Sequence, residues 1–226
     1  TGHSARDIYE LLHRKGIALQ TKGTAVGVRL EHPQKLIDKI QYGPQGRGEY
    51  LPAAAYRLVA QCGGKGVYSF CMCPGGYIVP CATDQEQVVV NGMSPSALMN
   101  FQKDMEHRAW EAGGKTQTAP AARMTDFCEK RISTTLNDTT YIPGIVPADM
   151  DHVLGEFVSP RLREGLKMFG NKMRGFYTAE ATIIGVETRT SSPLRIPRDP
   201  VTLSHIQVEG LFPAGEGAGY AGGIVS

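Results

Sequence analysis

The densest concentration of chemical groups in this sequence is the run Gly215-Glu216-Gly217-Ala218-Gly219-Tyr220-Ala221-Gly222-Gly223. Gly215 and Gly217 let backbone come close to a ligand, because a Cβ at either position would stand in the way. Glu216, between them, is an acceptor for sugar-type hydroxyls. The amides of Gly217 to Gly223, at the start of a helix, suit a phosphate or an electron-rich ring oxygen. The competing explanation is a tight turn where a strand meets a helix. A second polar cluster, Glu187-Thr188-Arg189-Thr190-Ser191-Ser192-Pro193, sets one arginine among small hydroxyls. Arg189 could bind a carboxylate in bidentate fashion, or set positive charge where negative charge builds during a reaction. It could equally form a surface pair with a glutamate. The third cluster is Cys71-Met72-Cys73-Pro74-Gly75-Gly76. On a strand its two sulfurs share a face, which would suit a redox thiol pair. The sequence favours burial as two small, reduced, apolar side chains instead. A metal site is disfavoured, because C-x-C is not the usual C-x₂-C and Cys62 and Cys81 are irregularly spaced.

The elements that must position these groups read as strands first, helices next and strands last. Ser4 is a candidate cap for a helix whose stripe is Ala5, Ile8, Leu11 and Leu12, with a stop at Gly16. A strand over 24–31 leads into a helix over 33–40 that begins at Pro33. Strands are expected at 68–73 and 77–79 around the Pro74-Gly75-Gly76 turn, and at 87–91. Helices follow at 97–112, 147–154 and 160–169. Strands return at 181–187, 201–208 and, short and buried, at 211–214. This order predicts an α+β fold: a mixed-sheet domain with helices, inserted into another domain's sheet. The boundaries are 1–22, 23–182 for the inserted domain, and 183–226. Both ends read as cut, since a strand should feed the first helix and a helix should follow the glycine run.

Composition narrows the partners. The 226 residues carry 24 Lys and Arg against 22 Asp and Glu, a net charge of +2, and no basic run. That argues against nucleic acid. No apolar stretch has the length of a membrane span, and the first residues do not resemble a signal peptide. Five cysteines without an export signal suggest reduced thiols in the cytoplasm.

Residues 210–224 resemble the third flavin-contact motif of a family of bacterial FAD-dependent dehydrogenases, relatives of the two-dinucleotide-fold flavoproteins. Three further stretches match in the same order: residues 2–7, 68–76 and 185–193. The resemblance implies that 1–22 and 183–226 are remnants of an FAD-binding Rossmann-like domain. It implies an intact flavin oxidoreductase that passes electrons to or from an unknown small-molecule substrate, with NAD(P)H a candidate donor. Gly2 then occupies the glycine of the second flavin motif, and Gly215 and Gly217 admit the cofactor. Glu216 lies on the ribityl hydroxyls, Gly222 and Gly223 near the pyrimidine edge. Arg189 faces the N1–C2 carbonyl edge or a substrate carboxylate, and the thiols of Cys71 and Cys73 stand on the substrate side. The family's phosphate loop after its first strand, and its ribose-binding acid, have no counterpart. This chain alone is therefore expected to be inactive and to hold FAD weakly. Relatives carry a longer segment between residues 91–94 and the helix of Phe101 and Gln102. The alternative is an isolated, non-catalytic substrate-binding or interaction domain without flavin.

Overall fold

The structure, a computed structural model, describes residues 2–78 and 97–220 and is α+β. In chain order it forms α1 (Arg6–Arg14), β1 (Gln20–Thr21), β2 (Gly27–Glu31), α2 (Gln34–Tyr42), β3 (Val59–Cys62), β4 (Lys65–Tyr68) and α3 (Ala97–Ala112). There follow β5 (Ala119–Arg123), α4 (Met124–Cys128), β6 (Ile145–Pro147), α5 (Met150–Lys172), β7 (Thr182–Glu187) and β8 (Leu194–Arg195). The strands form a four-stranded sheet ordered β2-β7-β5-β6, a β3-β4 hairpin and a short β1-β8 pair. The larger sheet is mixed, with β5 parallel to β6 and antiparallel to β7. Among the described residues the chain divides into two compact units, one of 2–26, 97–106 and 187–220, the other of 27–78 and 107–186.

The second unit is built around apolar burial. Ala121 and Ala122 of β5 and Ile183 and Ile184 of β7 are at most 2% exposed. The register sets Ala121 against Ile184 on one face of the sheet and Ala122 against Ile183 on the other, so both faces are buried with a small side chain beside a branched one. The α5 helix is two helical runs that meet at Gly155 (φ 76°), and its start is capped by the Asp149 carboxylate, which accepts from the amides of Asp151 and His152. It buries Val153, Leu154, Val158, Leu166 and Phe169. Phe169 and Tyr56 meet the Phe176 ring edge-on, at centroid distances of 5.8 and 5.4 Å. The His32 ring lies 4.6 Å from Phe176, and His32 Nε2 is 2.9 Å from the Phe176 carbonyl oxygen. Burial pulls the His32 imidazole below its ordinary range, against that carbonyl contact, and pushes Tyr56 up to about 12.

Several expected elements differ. The hairpin pairs Val59–Cys62 with Lys65–Tyr68 across Gly63-Gly64, not across Pro74-Gly75-Gly76. A two-residue Gly-Gly loop is the shorter and better matched connection for twisted strands. After Tyr68 the chain leaves the sheet and bends at Cys71, so Cys71 and Cys73 are exposed and the expectation that both are buried is corrected. Residues 201–208 are turns, not a strand, with an isolated bridge between Arg198 and His205. The Asp199 carboxylate accepts from the amides of Val201 and Thr202 at 2.8 and 2.7 Å, a local turn that competes with a ladder. Residues 211–214 are irregular rather than a buried strand, with Phe212 61% exposed. Their carbonyls are taken singly: Leu211 O accepts from the His205 amide and Pro213 O from Arg198. Ser4 does not cap α1; Ala5 stands at that position without a side-chain bond. Tyr9 and Leu12 form the inner face of α1 in place of the stripe through Leu11, which is exposed. The two expected helices near 147–169 are the two runs of α5, with Pro160 inside the second. The strand expected at 87–91, and Val79 and Cys81, lie outside the described residues.

Candidate functional site

In the first unit the chain start and the glycine run meet. Tyr9 of α1 is fully buried; its hydroxyl donates to Gly217 O at 2.7 Å and lies 3.0 Å from Ser192 Oγ. Ser192 Oγ in turn donates to Leu194 O at 2.6 Å. Burial raises the Tyr9 phenol, the Ser192 contact opposes this, and the Glu216 charge adds to it. Around the ring pack Leu19, Met99, Leu194, Ile196 and Ala218. The strands beside it are two residues each, in register Gln20 with Arg195, and Ile196 N donates to Ala218 O at 3.1 Å. Gly219 needs to be glycine: φ is +82°, and a Cβ there would stand 2.9 Å from Leu194 O. On the turn itself His3 Nδ1 lies 3.1 Å from Glu216 Oε2, and the amides of Gly219 and Tyr220 are used within the turn.

A second focus is the Glu106 carboxylate, on the part of α3 that belongs to this unit. Arg6 grips it in a fork, at 2.7 Å to Oε2 and 2.8 Å to Oε1. Arg189 adds Nε to Oε1 at 3.1 Å and Nη2 to Oε2 at 2.9 Å, and the Thr188 hydroxyl donates to Oε1. One turn earlier on α3, Gln102 donates to Thr188 O at 2.7 Å. Burial pushes the Glu106 carboxyl up. The hydrogen bonds from Arg6 and Arg189, the Arg6 charge and the Thr188 hydroxyl together outweigh this and hold it at about 2. Arg6 and Arg189 are only 11% and 14% exposed, so two guanidinium charges share one carboxylate in a largely dry setting.

The third feature is an arginine pair on Tyr220. The Arg198 guanidinium lies 4.1 Å and that of Arg195 5.2 Å from the ring centroid. Arg198 N donates to the Tyr220 hydroxyl at 2.8 Å, so this ring is held in place by its neighbours. Among the described residues the buried Nε of Arg195 has no hydrogen-bond partner.

Of the sequence-predicted site residues, the unit brings together Gly215, Glu216, Gly217 and the Arg189 stretch. Gly2 is exposed, with open space where a Cβ would point. Gly215 has φ +79°, and Gly217 is buried. Gly222 and Gly223 lie outside the described residues. Arg189 is committed to Glu106, inside rather than on the surface. Sequence reasoning missed Arg6, Tyr9, Gln102 and Glu106. One signal was available: Gln102 and Glu106 are spaced i, i+4, a polar pair on one face of a helix that also carries Met99 and Met105. Among the described residues no cluster of His, Cys, Asp or Glu is arranged to hold a metal ion.

The donor set fits a cofactor with sugar-type hydroxyls and electron-rich edges. Glu216 can accept from hydroxyls, since one imidazole contact does not saturate a carboxylate. The Arg6–Glu106–Arg189 group carries surplus positive charge. The Arg195 backbone lies against the glycine turn, since the Cβ that Gly219 lacks would stand 3.0 Å from Arg195 Cα.

The family described as "FAD-dependent protein, C-terminal domain-like" matches residues 23–98 and 95–190. This chain belongs to that family. An uncharacterised protein of Clostridium beijerinckii is 39% identical over 255 aligned positions, which cover 100% of this chain and 48% of the relative. The chain thus spans about half the length of the curated relative it matches. The alignment is longer than the 226-residue chain, so the relative carries residues opposite gaps here. The two family matches meet at residues 95–98, beside the point where relatives were expected to hold a longer segment.

Proposed function

We propose that this chain is the part of a flavin-dependent oxidoreductase that lies along the ring and ribityl side of FAD, with electrons passing to or from a small-molecule substrate. The observation that carries the reading is the meeting of two distant stretches: His3 lies 3.1 Å from Glu216, and Tyr9 donates to Gly217 O at 2.7 Å. In this reading Gly2, Gly215 and Gly217 give backbone close approach, and Gly222 and Gly223 continue the same run. The Glu216 carboxylate receives ribityl hydroxyls, and Tyr9 fixes the height of the turn beneath it. When bound, FAD supplies the electron-transfer chemistry. Arg189 acts with Arg6, and Glu106 sets the orientation of both forks. The three side chains together sum to one positive charge, which suits an electron-rich edge or a substrate carboxylate. The family description supports the same reading.

The test uses the full-length protein. Losing a charge-assisted hydrogen bond is worth about 1.5–3 kcal/mol. Titration of FAD should therefore show Glu216→Ala weakened by about tenfold to a hundredfold, with native-like circular dichroism. Equal affinity in the two proteins overturns the assignment. Absence of any flavin from the wild type favours a non-catalytic binding domain instead.

A further inference from the structure

We propose that Cys71 and Cys73 form a reversible dithiol–disulfide site, open to small disulfides in solution. The cysteines of the second unit fall into two groups. Cys62 and Cys128 are buried. Burial raises both thiols, with a Glu164 charge adding at Cys62, and takes Cys128 to about 11. Such groups are poor nucleophiles. Cys71 and Cys73 are exposed, on a chain that has left the β4 strand and bends at Cys71. Cys73 Sγ lies 3.4 Å from the Cys71 carbonyl oxygen, so the sulfur turns back over the residue that bears the other thiol.

The segment is also fixed. Gly76 N donates to Cys73 O at 3.0 Å, closing the Pro74-Gly75 turn. A Cβ at Gly76 would stand 2.9 Å from Cys73 Cβ, so the turn packs directly against the second cysteine. Gly75 N donates to Gln34 Oε1 at 2.8 Å, and Gln34 is itself anchored to Asp38 and Ala54. Two accessible thiols separated by a single residue on a tethered turn have a high effective concentration toward each other. A ring closed across a single residue is strained, and strain makes a disulfide easy to reduce. The pair is therefore suited to switching rather than to stapling.

The step balances with a small-molecule disulfide as oxidant. One thiolate attacks a sulfur of the disulfide, forming a mixed disulfide and expelling one thiolate. The second cysteine thiolate attacks the protein-side sulfur, forming the Cys71–Cys73 bond and expelling the other. The two cysteines lose two protons and two electrons, and the oxidant becomes two thiols.

The experiment uses the full-length protein with Cys81→Ser, incubated in mixtures of oxidised and reduced glutathione and mapped by peptide mass. The expected result is a peptide lighter by two hydrogens that carries Cys71 and Cys73. It should revert as reduced glutathione is raised, while Cys62 and Cys128 stay reduced. A further Cys73→Ser change should stop the reaction at a glutathione adduct on Cys71. In the folded protein, alkylation of Cys71 and Cys73 should exceed that of Cys62 and Cys128 by at least about tenfold. Two independent glutathione adducts on the Cys81→Ser protein overturn the proposal. So does the absence of oxidation, or a disulfide that reduced glutathione does not open.

Discussion

The two units solve the same problem with different materials. The second fills its centre with rings and branched chains: Phe176, Phe169, Tyr56, Ile183 and Leu154 around a four-stranded sheet. The first gathers three separate stretches of chain around strands only two residues long, which supply few ladder bonds. Beyond a small apolar cluster around Tyr9, its cohesion comes from side chains that reach backbone or one another: Tyr9 to Gly217, Gln102 to Thr188, Arg6 and Arg189 to Glu106. Apolar burial is non-directional and tolerates repacking. A charged network is directional, and it fails as a unit when one member is removed. Fixed polar groups belong in the first unit, where they already carry the fold, while the second unit buries one side of its hairpin through Ala60 and Cys62 and leaves the thiols of Cys71 and Cys73 exposed.

Substitutions can break this contrast. The largest effect is expected for Phe176→Ala, since the ring is 0% exposed and meets three other rings. A loss of about 3–5 kcal/mol should appear in urea unfolding followed by the fluorescence of Trp110, which belongs to the second unit. A change under about 1 kcal/mol would mean that the ring cluster is not the centre of that unit. Next comes Glu106→Gln, which leaves two half-paired guanidinium groups in place. The expected cost is about 3 kcal/mol, read as faster hydrogen exchange in α1 and residues 187–196 with the second unit unaltered. A neutral or stabilised variant would show that the charged network does not hold the first unit together.

Acid sharpens the contrast with smaller effects. Glu106 titrates near 2 when folded against 4.5 for a free glutamate. Its contribution is therefore complete above pH 4.5 and is lost as pH falls toward 2. The folded His32 resists protonation, while the unfolded chain takes the proton near 6.5. Its contribution is complete above that value and begins to fall away just below it. Unit-resolved hydrogen exchange should thus find the second unit weakening first on acidification. His32→Gln should remove that early slope and leave the later one in the first unit. An early slope that survives in His32→Gln would assign it to another group.

Periodicity carried the long elements. The α3 helix lies where the sequence sets it, between Ala97 and the Gly113-Gly114 stop, and β7 follows a run of branched residues, whereas its neighbour β5, Ala-Pro-Ala-Ala-Arg, has none and was not expected. It failed where local side-chain bonds override it. Asp199 takes two amides and makes turns of residues 201–208, and Gly63-Gly64 closes a hairpin before Cys71 is reached. The site was half legible. Glycines and Glu216 announce themselves by type, because few other residues give close approach or an acceptor on a turn. Glu106 and Arg6 did not, because a charged residue on a helix is usually solvated, and nothing local says which ones meet.

The α+β order, the glycine turn with its acidic residue and the family resemblance are legible along the chain, since each depends on residues near one another in it. Only the tertiary structure decided that Tyr9 seats under Gly217, 208 residues away, that Arg189 spends its fork on Glu106, 83 residues earlier, and that Cys71 and Cys73 face solvent. Burial and charge pairing are properties of what surrounds a group in space. A one-dimensional pattern fixes a residue's periodicity and its neighbours, but the dielectric around it and the partner across from it exist only once the chain has folded.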